Sequence, residues 1–84
     1  MEKNLDNSMI LTLFGEQVKN FRTKQYLTQA ELAEKSHLHR NSIVLIENGK
    51  QNPTLTLMYK LSFALNVKMK DLVDNLWDNQ KTKS

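Results

Sequence analysis

Between positions 29 and 48, in QAELAEKSHLHRNSIVLIEN, the apolar residues fall into two short helical sets with very little chain between them. Leu32 and Ala33 lie on one face of the first set, and Leu38 follows where the chain must turn. Ile43 and Ile46 repeat at i, i+3 on the second set, which leaves Arg40, Asn41, Ser42, Val44 and Leu45 facing outward. Helices this short are marginal in water alone, so they must be held against each other and against a shared core. The second helix then presents a rigid outward ridge.

The totals bound what surrounds that unit. Eighty-four residues suffice for one domain with a modest core, which favours a compact helical bundle or a dimer. Hydrophobic residues at 39% and charged residues at 25% give a globular rather than a disordered balance. The absence of cysteine removes disulfides and thiolate metal sites and fits a cytoplasmic setting. A formal charge of +3 is compatible with an anionic partner such as nucleic acid, although many proteins without one carry as much. No apolar run approaches 18 residues, so no membrane partner is expected, and MEKNLDNS does not read as a signal peptide.

Along the chain, residues 1–8 are polar and aperiodic and read as a flexible N-terminus. Over 9–25, Ile10, Leu13, Phe14, Val18 and Phe21 keep helical spacing while Gln17, Lys19, Arg22 and Lys24 fall on other faces. Gly15 inside that helix is costly, which points to close packing against a neighbour. Thr28-Gln29-Ala30-Glu31 is a capping box that starts a second helix, with Leu27 just before it able to pack near Leu32. That helix should stop near Ser36, with His37 in the turn.

A third helix is predicted over 40–48, ended by Gly49 in the left-handed conformation. After the loop containing Pro53, a fourth over 54–65 should bury Leu55, Met58, Leu61, Phe63 or Ala64, and Leu65, with Asn66 as a left-handed stop. A fifth over 68–78 carries Met69, Leu72, Val73, Leu76 and Trp77, and 79–84 read as a flexible tail. No strand pattern stands out. The domain, 9–78, is all-α.

These residues together resemble the Cro and lambda-repressor-like, Xre-type helix-turn-helix regulators. The shared positions are Phe14-Gly15, Val18, Phe21 and Arg22, then Leu27-Thr28-Gln29-Ala30-Glu31-Leu32-Ala33, Leu38, Ile43 and Ile46. They continue through Glu47-Asn48-Gly49-Lys50, Pro53-Thr54-Leu55, Leu61, Ala64-Leu65-Asn66-Val67 and Leu72, so that the resemblance covers roughly 14–73. His37 and Tyr26 depart from the pattern, standing where glycine is usual. The resemblance implies a five-helix bundle whose second and third helices bind double-stranded DNA. It implies that Gln29, beside the cap Thr28, contacts a phosphate, with Asn48 and Lys50 as further backbone contacts. It places His39, Arg40, Asn41, Ser42 and Leu45 where base edges are read.

The side-chain chemistry suits those places. Arg40 can bind guanine O6 and N7, Asn41 can bind adenine N6 and N7, and Val44 or Leu45 can touch a thymine methyl group. Arg22 is a further candidate for a phosphate. One such unit spans too few base pairs for selectivity, so a homodimer on a two-fold operator is expected, its own promoter included. Leu72, Val73, Leu76 and Trp77 are the expected dimer surface. RNA polymerase is a further partner open to such a regulator.

Simpler roles account for other features. Ile43 and Ile46 are core, Lys60, Lys68 and Lys70 are solvated, and Asn48-Gly49 also serves as a helix cap. His37 and His39 have only Glu34 nearby, too few ligands for a closed metal site, so neither metal nor cofactor is expected. Ser36 and Ser42 lack a base and orienter, and no glycine-rich phosphate loop exists, so the chain is not read as an enzyme. Within the resemblance, small size points to a restriction-modification controller or a compact phage or plasmid repressor. An antitoxin that masks a toxin, or an interaction-only module, are the alternatives.

Overall fold

The structure, a computed structural model, describes residues 6–81, with side chains described as far as Trp77. Five helices follow in order: α1 (Asn7–Lys24), α2 (Gln29–Ser36), α3 (Arg40–Glu47), α4 (Leu55–Leu65) and α5 (Met69–Lys81). No strand occurs among the described residues.

Caps explain where the helices begin. Asp6 accepts the Met9 amide at 2.8 Å, so α1 starts at Asn7, ahead of the position the apolar spacing suggested. The Thr28 capping box forms as expected: the Glu31 amide donates to Thr28 Oγ1 at 3.0 Å, and the Thr28 amide donates to Glu31 Oε1 at 2.8 Å. Thr54 caps α4 by accepting the Leu57 amide at 3.1 Å. The Asp71 carboxylate accepts the Lys68 amide at 3.0 Å at the head of α5.

The ends share one device. Tyr26, His37, Gly49 and Asn66 are all left-handed, and each lets the next residue's amide reach back five residues. Leu27 thus donates to the Arg22 carbonyl, Leu38 to Ala33, Lys50 to Leu45 and Val67 to Ser62. Three of the four stops carry a side chain, which costs each of them roughly 1–2 kcal/mol of backbone strain.

Val18, Leu32, Ile43, Leu61, Leu65 and Leu72 are fully buried, with Phe14, Ala33 and Ile46 beside them, so every helix contributes to one core. Gly15 has the role its cost implied. A Cβ there would overlap the carbonyl oxygens of Ile46 and Glu47, so glycine lets the end of α3 lie directly on α1. Asn75 Nδ2 donates to the Leu13 carbonyl at 2.7 Å and Gln17 Nε2 to the Asp71 carbonyl at 2.9 Å, binding α5 to α1.

Two sequence expectations require correction. Leu55 is not buried but 72% exposed, and of the alternatives Phe63 or Ala64 it is Ala64 that packs on the core, Phe63 being 75% exposed. The core face of α4 is instead Leu57, Met58, Leu61, Ala64 and Leu65, and the four-residue repeat Leu55, Tyr59, Phe63 lies off it. Helix α5 also continues to Lys81, so 79–81 are helical rather than tail. Residues 1–5 and 82–84 of the expected flexible ends lie outside the described residues.

Candidate nucleic-acid interface

The α2–α3 unit is built around the left-handed His37. Its backbone turns the chain within three residues, and Leu38 packs against the core from inside the turn. Ile43 and Ile46, 0% and 1% exposed, anchor the inner face of α3. With that face fixed, the opposite one is determined by helix geometry: His39, Arg40, Asn41 and Leu45 are exposed, and Ser42 and Val44 are half-buried. His39 precedes the helix without forming a side-chain cap, which leaves the first amides of α3 without the cap that Thr28 and Thr54 give α2 and α4.

The flanks carry the expected backbone-contacting groups. Thr28 is exposed, and its hydroxyl oxygen is already an acceptor in the capping box, which leaves the hydroxyl hydrogen free to donate outward. Asn48 and Lys50 are exposed on the turn after α3, where Gly49 at φ +70° packs against Thr12 of α1. Gln29, the first residue of α2, is half-buried and donates from Nε2 to Glu47 Oε1 at 3.1 Å. A primary amide has a second N–H, so one donor remains for a phosphate.

Arg22 has a structural role that the sequence did not reveal. It is only 9% exposed, and all three guanidinium nitrogens make hydrogen bonds within the chain. Nε and Nη2 bind the Glu47 carboxylate at 2.6 and 3.0 Å, and Nη1 donates to the Leu27 carbonyl at 2.7 Å. Hydrogen bonding to Glu47 raises the Arg22 pKa above its already high ordinary value, opposed by burial and aided by the charge on Glu47. Arg22 therefore braces the site from behind, tied to Glu47 and to the Leu27 carbonyl rather than standing free on the surface. Glu47 was missed as its partner, because helical periodicity carries no signal for a side-chain pair on different helices.

The expected dimer residues divide as well. Leu72 is fully buried in its own chain and has no surface to offer a partner. Val73 and Leu76 are half-buried and line a crevice with Ile10, Phe14, Pro53 and Met58, so α5 spends much of its apolar face on α1 and the α3–α4 loop. Trp77 alone of the four is exposed, at 63%. His37 and His39 are both exposed, and no group of three or more His, Cys, Asp or Glu gathers among the described residues. No described helix is long and apolar enough to cross a membrane.

The profile of the helix-turn-helix family matches residues 18–72, which takes in α2, α3 and α4 with the end of α1 and the start of α5. The chain belongs to the Xre-type helix-turn-helix family. This helix-turn-helix chain is a DNA-binding transcriptional regulator by that membership. It is 39% identical over 67 residues to an HTH-type transcriptional regulator of Archaeoglobus fulgidus, covering 75% of this chain and 94% of the relative. It is 42% identical over 66 residues to the control protein C.BamHI of Bacillus amyloliquefaciens, covering 77% and 82%. Among solved structures, the restriction-modification controller protein C.AhdI of Aeromonas hydrophila superimposes with a TM-score of 0.73 at 34% identity, covering 74% of this chain and 94% of that one.

Proposed function

We propose that this regulator reads a two-fold DNA operator as a homodimer in the cytoplasm and acts on its own promoter, in the manner of a restriction-modification controller or a compact phage or plasmid repressor. The observation that carries the reading is the outward face of α3. Arg40, Asn41 and Leu45 stand exposed on a helix held from behind by Ile43 and Ile46.

Within that reading the groups divide into two kinds. Thr28, Gln29, Asn48 and Lys50 meet phosphates and set the register, while His39, Arg40, Asn41, Ser42, Val44 and Leu45 face base edges. Arg40 is the main specificity residue. Its two-pronged contact with guanine discriminates by roughly 1–3 kcal/mol against a wrong base. The similarity to C.BamHI and C.AhdI supports the controller type over the antitoxin alternative.

The test is binding to the duplex upstream of its own gene and to random duplex of equal length, across a salt series. The upstream duplex is expected to bind at least tenfold more tightly, with affinity falling steeply as salt rises. Equal affinity for the two duplexes at every salt concentration overturns the reading.

A further inference from the structure

Helix α4 is apolar on two faces. Leu57, Met58, Leu61 and Leu65 supply its core face, yet Leu55, Tyr59 and Phe63 stand 72%, 58% and 75% exposed along another. The second set repeats every four residues, so it forms one continuous ridge about 12 Å long. The Tyr59 and Phe63 rings stack upon each other, with centroids 6.5 Å apart. A helix with apolar residues on both faces is ordinarily covered on both.

We infer that the Leu55–Tyr59–Phe63 ridge of α4 is the surface through which a second copy of this chain docks. The assignment rests on the homodimeric reading proposed above and names its interface. Three features point to a second copy as the occupant. The ridge is close to palindromic about Tyr59, so a two-fold axis through that residue sets Tyr59 on its symmetry mate and Leu55 against Phe63 of the other chain. Ridges of the i, i+4 kind pack into one another at a crossing angle of about −50°, the commonest helix pairing, so the contact is geometrically ordinary. The three side chains together expose on the order of 400 Å² per chain, about half of the ~800 Å² per partner that a stable interface buries, and their neighbours can supply the rest.

The surroundings fit the same arrangement. Beside the C-terminal end of the ridge is an open hollow of mixed lining, to which Tyr59, Phe63, Val67 and Met69 contribute together with Ser62, Asn66, Lys35 and Lys68. In the two-fold arrangement Leu55 of the second chain lies next to that hollow. Lys60 is the only charged residue in α4, so the ridge has a nearly uncharged centre, and the lysines form a polar rim whose ammonium groups stay in water. The face expected on α5 competes poorly, because Leu72 is buried and Val73 and Leu76 are half consumed by their own chain.

Sedimentation equilibrium of the wild type and of Tyr59→Lys, Phe63→Lys and Trp77→Ala decides the matter, with circular dichroism on each to verify the fold. The wild type is expected to be dimeric at micromolar concentration. The two α4 variants should keep their helicity while the dimer dissociation constant rises at least tenfold, and Trp77→Ala should stay within threefold of wild type. A Phe63→Lys protein as dimeric as the wild type, a dimer lost in Trp77→Ala but kept in both α4 variants, or a wild type monomeric throughout overturns the assignment. Binding of the wild type to upstream and random duplex, run in parallel, separates the two claims. A preference for upstream DNA with the α4 variants still dimeric rejects the interface and leaves the regulator standing. A wild-type dimer dispersed by Phe63→Lys but indifferent to DNA sequence upholds the interface and rejects the operator reading.

Discussion

Arg22 of α1 and Glu47 at the end of α3 form a buried ion pair, with Arg22 Nε 2.6 Å from Glu47 Oε2 and side chains only 11% and 2% exposed. The same carboxylate accepts from Gln29 at the start of α2, so one group fastens three helices around the α2–α3 unit. The pair fixes the outward face of α3 and, through Gln29, the entrance of α2.

Removing one partner leaves the other charged and buried. Glu47→Ala is expected to cost about 3–5 kcal/mol in urea denaturation, whereas the paired change Arg22→Met with Glu47→Leu should recover most of that loss. Equal destabilisation by the single and the double variants would show that packing volume, not charge, is what matters there.

The pH dependence follows from the direction of the Arg22 shift. A cation whose pKa is raised on folding stabilises the native state fully below its unfolded value, and the contribution is lost as pH rises through the folded value. Both values lie in the strongly alkaline range, so denaturation midpoints between about pH 6 and pH 9 should show no step assignable to Arg22.

Gly15→Ala probes the contact between α1 and α3 directly. The added methyl group meets the carbonyl oxygens of Ile46 and Glu47, which are backbone atoms that cannot rotate away. A loss of about 1–3 kcal/mol in stability is expected, together with weaker DNA binding as α3 shifts outward. Unchanged stability would place α3 farther from α1 than described.

Tyr26→Gly should move stability the other way. Tyr26 is left-handed and 93% exposed, so glycine relieves strain and gives up almost no packing. A gain of about 0.5–1 kcal/mol is expected by thermal denaturation, since the strain relieved is partly offset by the freedom glycine loses on folding.

How far the sequence carried can be read from these same residues. The Thr28 capping box, the left-handed stops at His37, Gly49 and Asn66, the close approach at Gly15 and the core positions Ile43 and Ile46 are local or periodic, and all were legible. Asp6 was not recognised as a cap because it lies outside the apolar periodicity that defined the first helix. The partnership of Arg22 with Glu47 depends on how two helices are set side by side, which no local pattern records. In α4 most positions are apolar, so periodicity left Phe63 and Ala64 as alternatives, of which Ala64 faces the core, and placed Leu55 on the wrong side.

Selection of bound duplexes from a random pool, by the wild type and by Arg40→Ala in parallel, tests most directly whether the exposed face of α3 reads DNA. The wild type should enrich an inverted repeat with half-sites about one helical turn apart, and Arg40→Ala should keep the repeat and its spacing but lose preference at one symmetric pair of guanines. An identical motif from both proteins, or no enriched motif from the wild type, contradicts that role for α3.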